Sequence, residues 1–241
     1  MLNMLDSGNS NQSFPDVEKS LDDPNGLLAI GGCLSTERLV NAYQHGIFPW
    51  FNEGDPILWW SPNPRLVLKP QDLRISRSLK KILRRQEFLI TFDNAFLETL
   101  HACSSPRENG TGTWITDSMI NAYATLHDKG IAHSVEAWYD GKLCGGLYGV
   151  ALGRVFFGES MFFTRSNASK AAFATLSKYL QIWNYSLIDC QVKTKHLVSL
   201  GAIEIKRKEF INQLAIYCKQ PVSLLAWKNT IAWDWREIGI T

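Results

Sequence analysis

The sequence predicts an α+β fold, with a small N-terminal domain over residues 1–65 and a larger domain over 66–241. The larger part is expected to be a mostly antiparallel sheet flanked by helices. Three observations carry this. Turn-forming clusters (DDPNG, GGCLS, FNEGDP, SPNPR) crowd the first 65 residues and leave little room for long elements. Two apolar runs meet at Asp140–Gly141, a dipeptide that favours a tight hairpin. After Gly153 the pattern runs strand, helix, strand, helix, strand, which with the hairpin before it is an α+β order.

Each element has its own signal. STERLVNAYQHG reads as a helix capped by Ser35 or Thr36, with Leu39, Val40 and Tyr43 as its apolar stripe and Gly46 ending it. LRISRSLKKILRRQ is amphipathic, with Ile75, Leu79, Ile82 and Leu83 at helical spacing. FLITFD reads as a strand and NAFLETLHACS as a helix; ITDSMINAYATLHDKG is a helix capped by Thr116 or Asp117 and stopped by Gly130. HSVEAWYDG, KLCGGLYGVALG and RVFFGESMFF read as successive strands. ASKAAFATLSKYLQIWN follows as a helix, SLIDCQV as a strand, HLVSLG as a short helix and AIEIKRKEF as a further strand. The tail from Lys219 has no clear periodicity.

Composition narrows the function classes. The 241 residues are 45% hydrophobic and carry a formal net charge of only +2, so any nucleic-acid signal must be local. The N-terminus lacks the basic and apolar regions of an export signal, and no run approaches the roughly 20 apolar residues of a membrane span. Five scattered cysteines without a C-x-x-C pair read as free thiols, and the cytoplasm is the expected compartment. Nine tryptophans serve either as core residues or as flat surfaces for bases, and composition does not choose between the two.

Three places carry candidate chemistry. Glu159 lies in the apolar run VFFGESMFF, where a carboxylate either faces water, forms an ion pair or stands at the rim of a pocket able to hold an ammonium group. Asp189 and Gln191 stand two apart on a strand and share a face, so a proton acceptor and an orienting amide lie side by side. Arg74, Arg77, Lys80, Lys81, Arg84 and Arg85 cover the polar side of one helix, as a solvated face or a phosphate-contacting one. No G-x-S-x-G, metal-ligand spacing or nucleotide fingerprint is evident, so neither metal nor cofactor is expected.

Nine segments in series resemble the leucyl/phenylalanyl-tRNA–protein transferases: PNGLLAIGG, AYQHGIFPWF, DPILWWSPNPR, GTWIT, HSVEAW, GGLYGVALG, FFGESMF, NASK and LIDCQV. The resemblance implies a larger domain similar to the GNAT acyltransferases. It also implies transfer of Leu, Phe and less readily Met from aminoacyl-tRNA to proteins beginning with Arg or Lys, marking them for N-end rule degradation. The site it implies has Trp50 and Trp114 against the 3′-terminal adenosine, Tyr43 and Tyr123 nearby, and Phe156 and Leu147 in an apolar side-chain pocket. Glu159 would orient the donor, and Asp189 with Gln191 would serve peptide-bond formation. QVKTKH departs from the family's usual Asn-Asp by carrying Thr194 and Lys195. Such an ester-to-amide exchange needs no ATP, and Asp189 is the expected acceptor of the amine's proton. A monomer is expected. The rival readings are a GNAT-type N-acyltransferase using acyl-CoA and a non-enzymatic module binding a tRNA end or a peptide.

Overall fold

The structure, a computed structural model, describes residues 2–105 and 115–228. Four short strands, β1 (Asn3–Leu5), β2 (Leu27–Gly31), β3 (Phe48–Pro49) and β4 (Leu58–Trp60), form a sheet in the order β1-β2-β4-β3. Helix α1 (Thr36–Gln44) connects β2 to β3. It starts where the Ser35 hydroxyl accepts the Arg38 N–H at 3.2 Å, and it buries Leu39, Ala42 and Tyr43. Gly46 lets the chain turn away at φ +72°. A Cβ there would stand 2.6 Å from Ile211.

The second sheet begins with β5 (Arg65–Leu68). Then come α2 (Arg77–Arg84), β6 (Leu89–Phe92), α3 (Phe96–Ser104), α4 (Asp117–Asp128), β7 (Ala132–Tyr139), β8 (Lys142–Leu152) and β9 (Val155–Phe163). The chain ends with α5 (Ala168–Ile182), β10 (Leu187–Gln191), α6 (Lys195–Ser199), β11 (Ile203–Ile205) and α7 (Arg207–Tyr217). Spatial order is β11-β5-β10-β9-β8-β7-β6. Every neighbouring pair is antiparallel except β9 and β10, which α5 joins as a crossover. This is the mostly antiparallel sheet with flanking helices that the sequence predicts.

Two apolar cores cover the two faces of that sheet. One gathers Leu79 and Leu83 of α2 with the alanine-rich face of α5. The other holds Leu100 of α3 and Met119 of α4, and it also takes in Leu28, Tyr43 and Trp59 from the N-terminal part. Burial of this apolar area, at roughly 25 cal/mol per Å², ties the small sheet to the large one.

The expected strand AIEIKRKEF is corrected. It stops at Ile205, and α7 starts at Arg207. Phe210 and Leu214, one helical turn apart and both fully buried, supply the helical stripe that the basic start of this segment obscures. The basic stretch 74–85 is helical only over Arg77–Arg84, capped where Ser76 accepts the Leu79 N–H at 3.2 Å. Arg74 and Arg85 flank it.

Candidate active site

Glu159 is the point on which four elements converge. It lies on β9. Its Oε1 accepts the Tyr43 hydroxyl from α1 at 2.8 Å and the Gln191 amide Nε2 from the end of β10 at 2.9 Å. Its Oε2 accepts the Tyr123 hydroxyl from α4 at 2.9 Å, and the two tyrosine hydroxyls also bond each other. A carboxylate has about four lone-pair sites, so one acceptor position on Oε2 stays open. Although ringed by protein, the group touches an open cavity. Burial pushes its pKa from the ordinary 4.5 to about 7, against the three hydrogen bonds that favour its charged form. Burial, then the Glu159 charge, raises both tyrosines well above 10.

Asp189 is held differently. It is wholly buried on β10, and Arg65 grips it with Nε on Oδ1 at 2.8 Å and Nη2 on Oδ2 at 2.6 Å. The fully buried Arg65 guanidinium donates its remaining Nη1 to the Gly46 carbonyl at 3.1 Å. Its flat face lies 4.8 Å from the Phe48 ring and 4.7 Å from the Phe210 ring. Asp189 Oδ1 also accepts the backbone N–H of Gln191 at 2.9 Å. That bond forms at a β-bulge where Gln191 adopts φ +59°. A side-chain amide with a left-handed backbone is thereby fixed in place by a buried ion pair.

Between these groups opens a cavity of about 410 Å³. Leu147, Phe156, Met161, Phe173, Ile188 and Leu197 give it an apolar wall, and Glu159, Asp189 and Gln191 line its polar side. Trp50, 43% exposed, stands in the lining beside Phe48 and Pro49. Such a site, apolar with a few convergent polar groups, suits one small apolar side chain next to a charged head.

Comparison with known proteins decides the class. The description of leucyl/phenylalanyl-tRNA protein transferase matches residues 67–215, and that of the N-terminal domain of the same family matches 32–63. The chain belongs to the leucyl/phenylalanyl-tRNA protein transferase family. A leucyl/phenylalanyl-tRNA–protein transferase of Cellvibrio japonicus is 57% identical over 86% of this chain and 88% of its own length. The Nitrosomonas eutropha protein of that name is 55% identical over 93% of this chain and 96% of its own. Among solved structures, L-PGS from Bacillus licheniformis superposes at a TM-score of 0.40 and 11% identity. That match covers 70% of this chain and 54% of the other, so this chain spans about half of L-PGS. A GCN5-related N-acetyltransferase-like protein from Streptococcus suis gives 0.34 and 13%, over 68% of this chain and 61% of that one.

For this aminoacyltransferase the site residues sort as follows. Phe156, Leu147, Glu159, Gln191, Asp189 and Trp50 meet in one cavity. Tyr43 and Tyr123 are fully buried, and both hydroxyls bond Glu159 at the head of the cavity. Trp114 lies outside the described residues. The six basic residues on and beside α2 are not in the cavity lining. Arg65 is the residue that sequence reasoning passed over. Its signal was an arginine opening an otherwise apolar strand, RLVL, where a lone charge demands a buried partner.

Proposed function

We propose that the cavity receives the aminoacyl end of Leu-, Phe- or Met-tRNA and that the amino acid passes to the N-terminal Arg or Lys of an acceptor protein. The observation that carries this is the open acceptor position of Glu159 at the head of an apolar cavity. The donor's α-ammonium takes that position, and its side chain lies against Leu147 and Phe156. Trp50 stacks on the terminal base at the mouth, while α2 and the neighbouring Arg74 and Arg85 contact tRNA phosphates.

The reaction needs a neutral acceptor amine, which has an ordinary pKa of roughly 8. Its lone pair attacks the ester carbonyl carbon and the carbon–oxygen bond to the ribose breaks. The departing oxygen takes up a proton, and the amine loses one. Gln191 has committed its Nε2 to Glu159, so its amide oxygen is what orients the incoming N–H. Asp189 already accepts three hydrogen bonds, two from the Arg65 guanidinium and one from the Gln191 backbone N–H, so its oxygens are committed to holding these groups. Its role is positioning: it fixes the bulge that aims Gln191. In this reading Asp189 does not itself take the proton. Positioning of this kind is worth on the order of 7–11 kcal/mol in the best cases.

The product would carry a destabilising N-terminus for N-end rule degradation. All five cysteines stand unpaired, which supports work in the cytoplasm. Exposed large apolar side chains such as Met4, Leu89, Phe163 and Ile216 are spread over separate elements, which supports a monomer. The test is direct. Labelled Leu-tRNA and a peptide beginning with Arg are mixed with the protein, without ATP or CoA. Label should enter the peptide. Label that stays on the tRNA, or that moves only when CoA is added, sinks the reading.

A further inference from the structure

We infer that Trp227, in the segment after α7 and beyond the residues matched by the family description, is a positioning residue that sets which donor side chain the cavity prefers. The inference rests on the reading of the cavity as the donor pocket. Phe156 is the fully buried ring of the cavity's apolar wall. One side of its setting is fixed by Gly149 on β8, where a Cβ would come within 2.6 Å of the Phe156 ring. The ring therefore lies across a bare backbone and gains no side-chain support from β8 there.

Trp227 supplies support from elsewhere. Its ring packs on Phe156 at 5.8 Å between centroids and 27° between planes. It is itself clamped by three contacts. His133 of β7 stacks on it at 4.0 Å and 7°. The indole N–H donates to the Tyr185 hydroxyl at 2.9 Å. Trp183, at the end of α5, packs at 4.9 Å. The backbone at Trp227 is left-handed, with φ +61°, a conformation that a bulky residue adopts only when its surroundings hold it. His133 in turn donates from Nδ1 to Asp93 Oδ2 at 2.7 Å, so the clamp is anchored to the sheet.

The consequence is specific. Phe156 has the donor side chain on one side and a clamped indole on another, so the position of the indole bounds the depth of the pocket. Removing the indole lets the Phe156 ring retreat, and the cavity deepens. A deeper apolar pocket gains most for the longest ring-bearing donor and least for leucine. Pockets of this kind discriminate by about tenfold or more per methylene, so even a partial retreat is readable.

The experiment compares kcat/KM for Phe-tRNA and Leu-tRNA in wild type, Trp227→Ala, Trp227→Leu and Trp227→Phe. The ratio of Phe to Leu should rise about fivefold or more in Trp227→Ala, rise less in Trp227→Leu and return towards wild type in Trp227→Phe. The change should be mainly in KM. Equal loss of both donors, or an unchanged ratio, makes Trp227 a packing residue only and overturns the inference. If Trp227→Ala does not fold, the Leu and Phe variants decide by the same ratio. Wild type in the same assay separates the two ideas, since failure of wild type to transfer either donor refutes the reading of the cavity instead.

Discussion

At the scale of single residues, Glu159 and Arg65 set the behaviour of the site through opposite electrostatic situations. Glu159 has a pKa raised to about 7, chiefly by burial. Between pH 4.5 and 7 the folded protein therefore binds more protons at this position than the unfolded chain, and Glu159 lowers stability as pH rises through that window. Function runs the other way, because a donor ammonium is held best once the carboxylate is charged. Donor affinity should thus strengthen between pH 6 and 8. Glu159→Gln should abolish that dependence, weaken donor binding at least tenfold and remove this fall in stability over pH 4.5–7, so that the difference from wild type changes across the window. Titration of tRNA-end binding and of urea unfolding checks both halves. Arg65 is a different case, a buried cation whose partner has no water to fall back on. Arg65→Met should cost about 3–5 kcal/mol in denaturant unfolding, since it strands a buried carboxylate. The double variant Arg65→Met, Asp189→Leu should recover most of that stability and still transfer poorly, because Gln191 has lost the acceptor of its backbone N–H. Full activity in that double variant would remove Asp189 from the machinery.

At the scale of elements, how legible the fold was depended on whether a segment's signal was local. The hairpin β7–β8 is announced by Asp140–Gly141, and α4 by its cap at Thr116 and its stop at Gly130. The strands of the small sheet are two to five residues long, and β1 pairs in parallel with a strand more than twenty residues away, so nothing local marks them. Helix α7 was hidden because its stripe, Phe210 and Leu214, follows a run of charges. In the site, the strand's alternation suggests one shared side for Asp189 and Gln191, but Ile188 and Cys190, assigned to the other side, line the cavity as well. The bulge and the Arg65 pair could not be read locally, since they depend on β5, more than a hundred residues earlier. The basic stretch around α2 gives the prediction that belongs here. Arg77, Lys81 and Arg85 are exposed. Replacing all three by Gln should weaken tRNA binding uniformly across donors and lower the slope of log affinity against log salt by about 2–3. The rate of transfer at saturating donor should stay near wild type, because these residues lie away from the cavity. Filter binding at several salt concentrations reads the slope.

At the scale of the whole molecule, the division into a small N-terminal part and a large sheet does not divide the site. Tyr43 comes from α1 and bonds Glu159 on β9, while Phe48 and Trp50 line the cavity together with residues of β9 and β10. The carbonyl of Gly46 takes the third contact of the Arg65 guanidinium. One apolar core runs from Leu28 and Trp59 through Tyr43 to Tyr148 and Phe157, so the large sheet completes one of its faces with N-terminal residues. Residues 66–241 expressed alone would expose that face and leave Asp189 without Arg65, two independent penalties. The expected result is a fragment that binds an apolar dye, lacks the near-ultraviolet dichroism of packed aromatics and unfolds without a cooperative transition. Adding residues 1–65 as a separate chain should restore part of that dichroism, since the missing apolar face and Arg65 return together. A fragment that folds cooperatively by itself would mean that the first core closes over without the small sheet, and the composite view of the site would have to be abandoned.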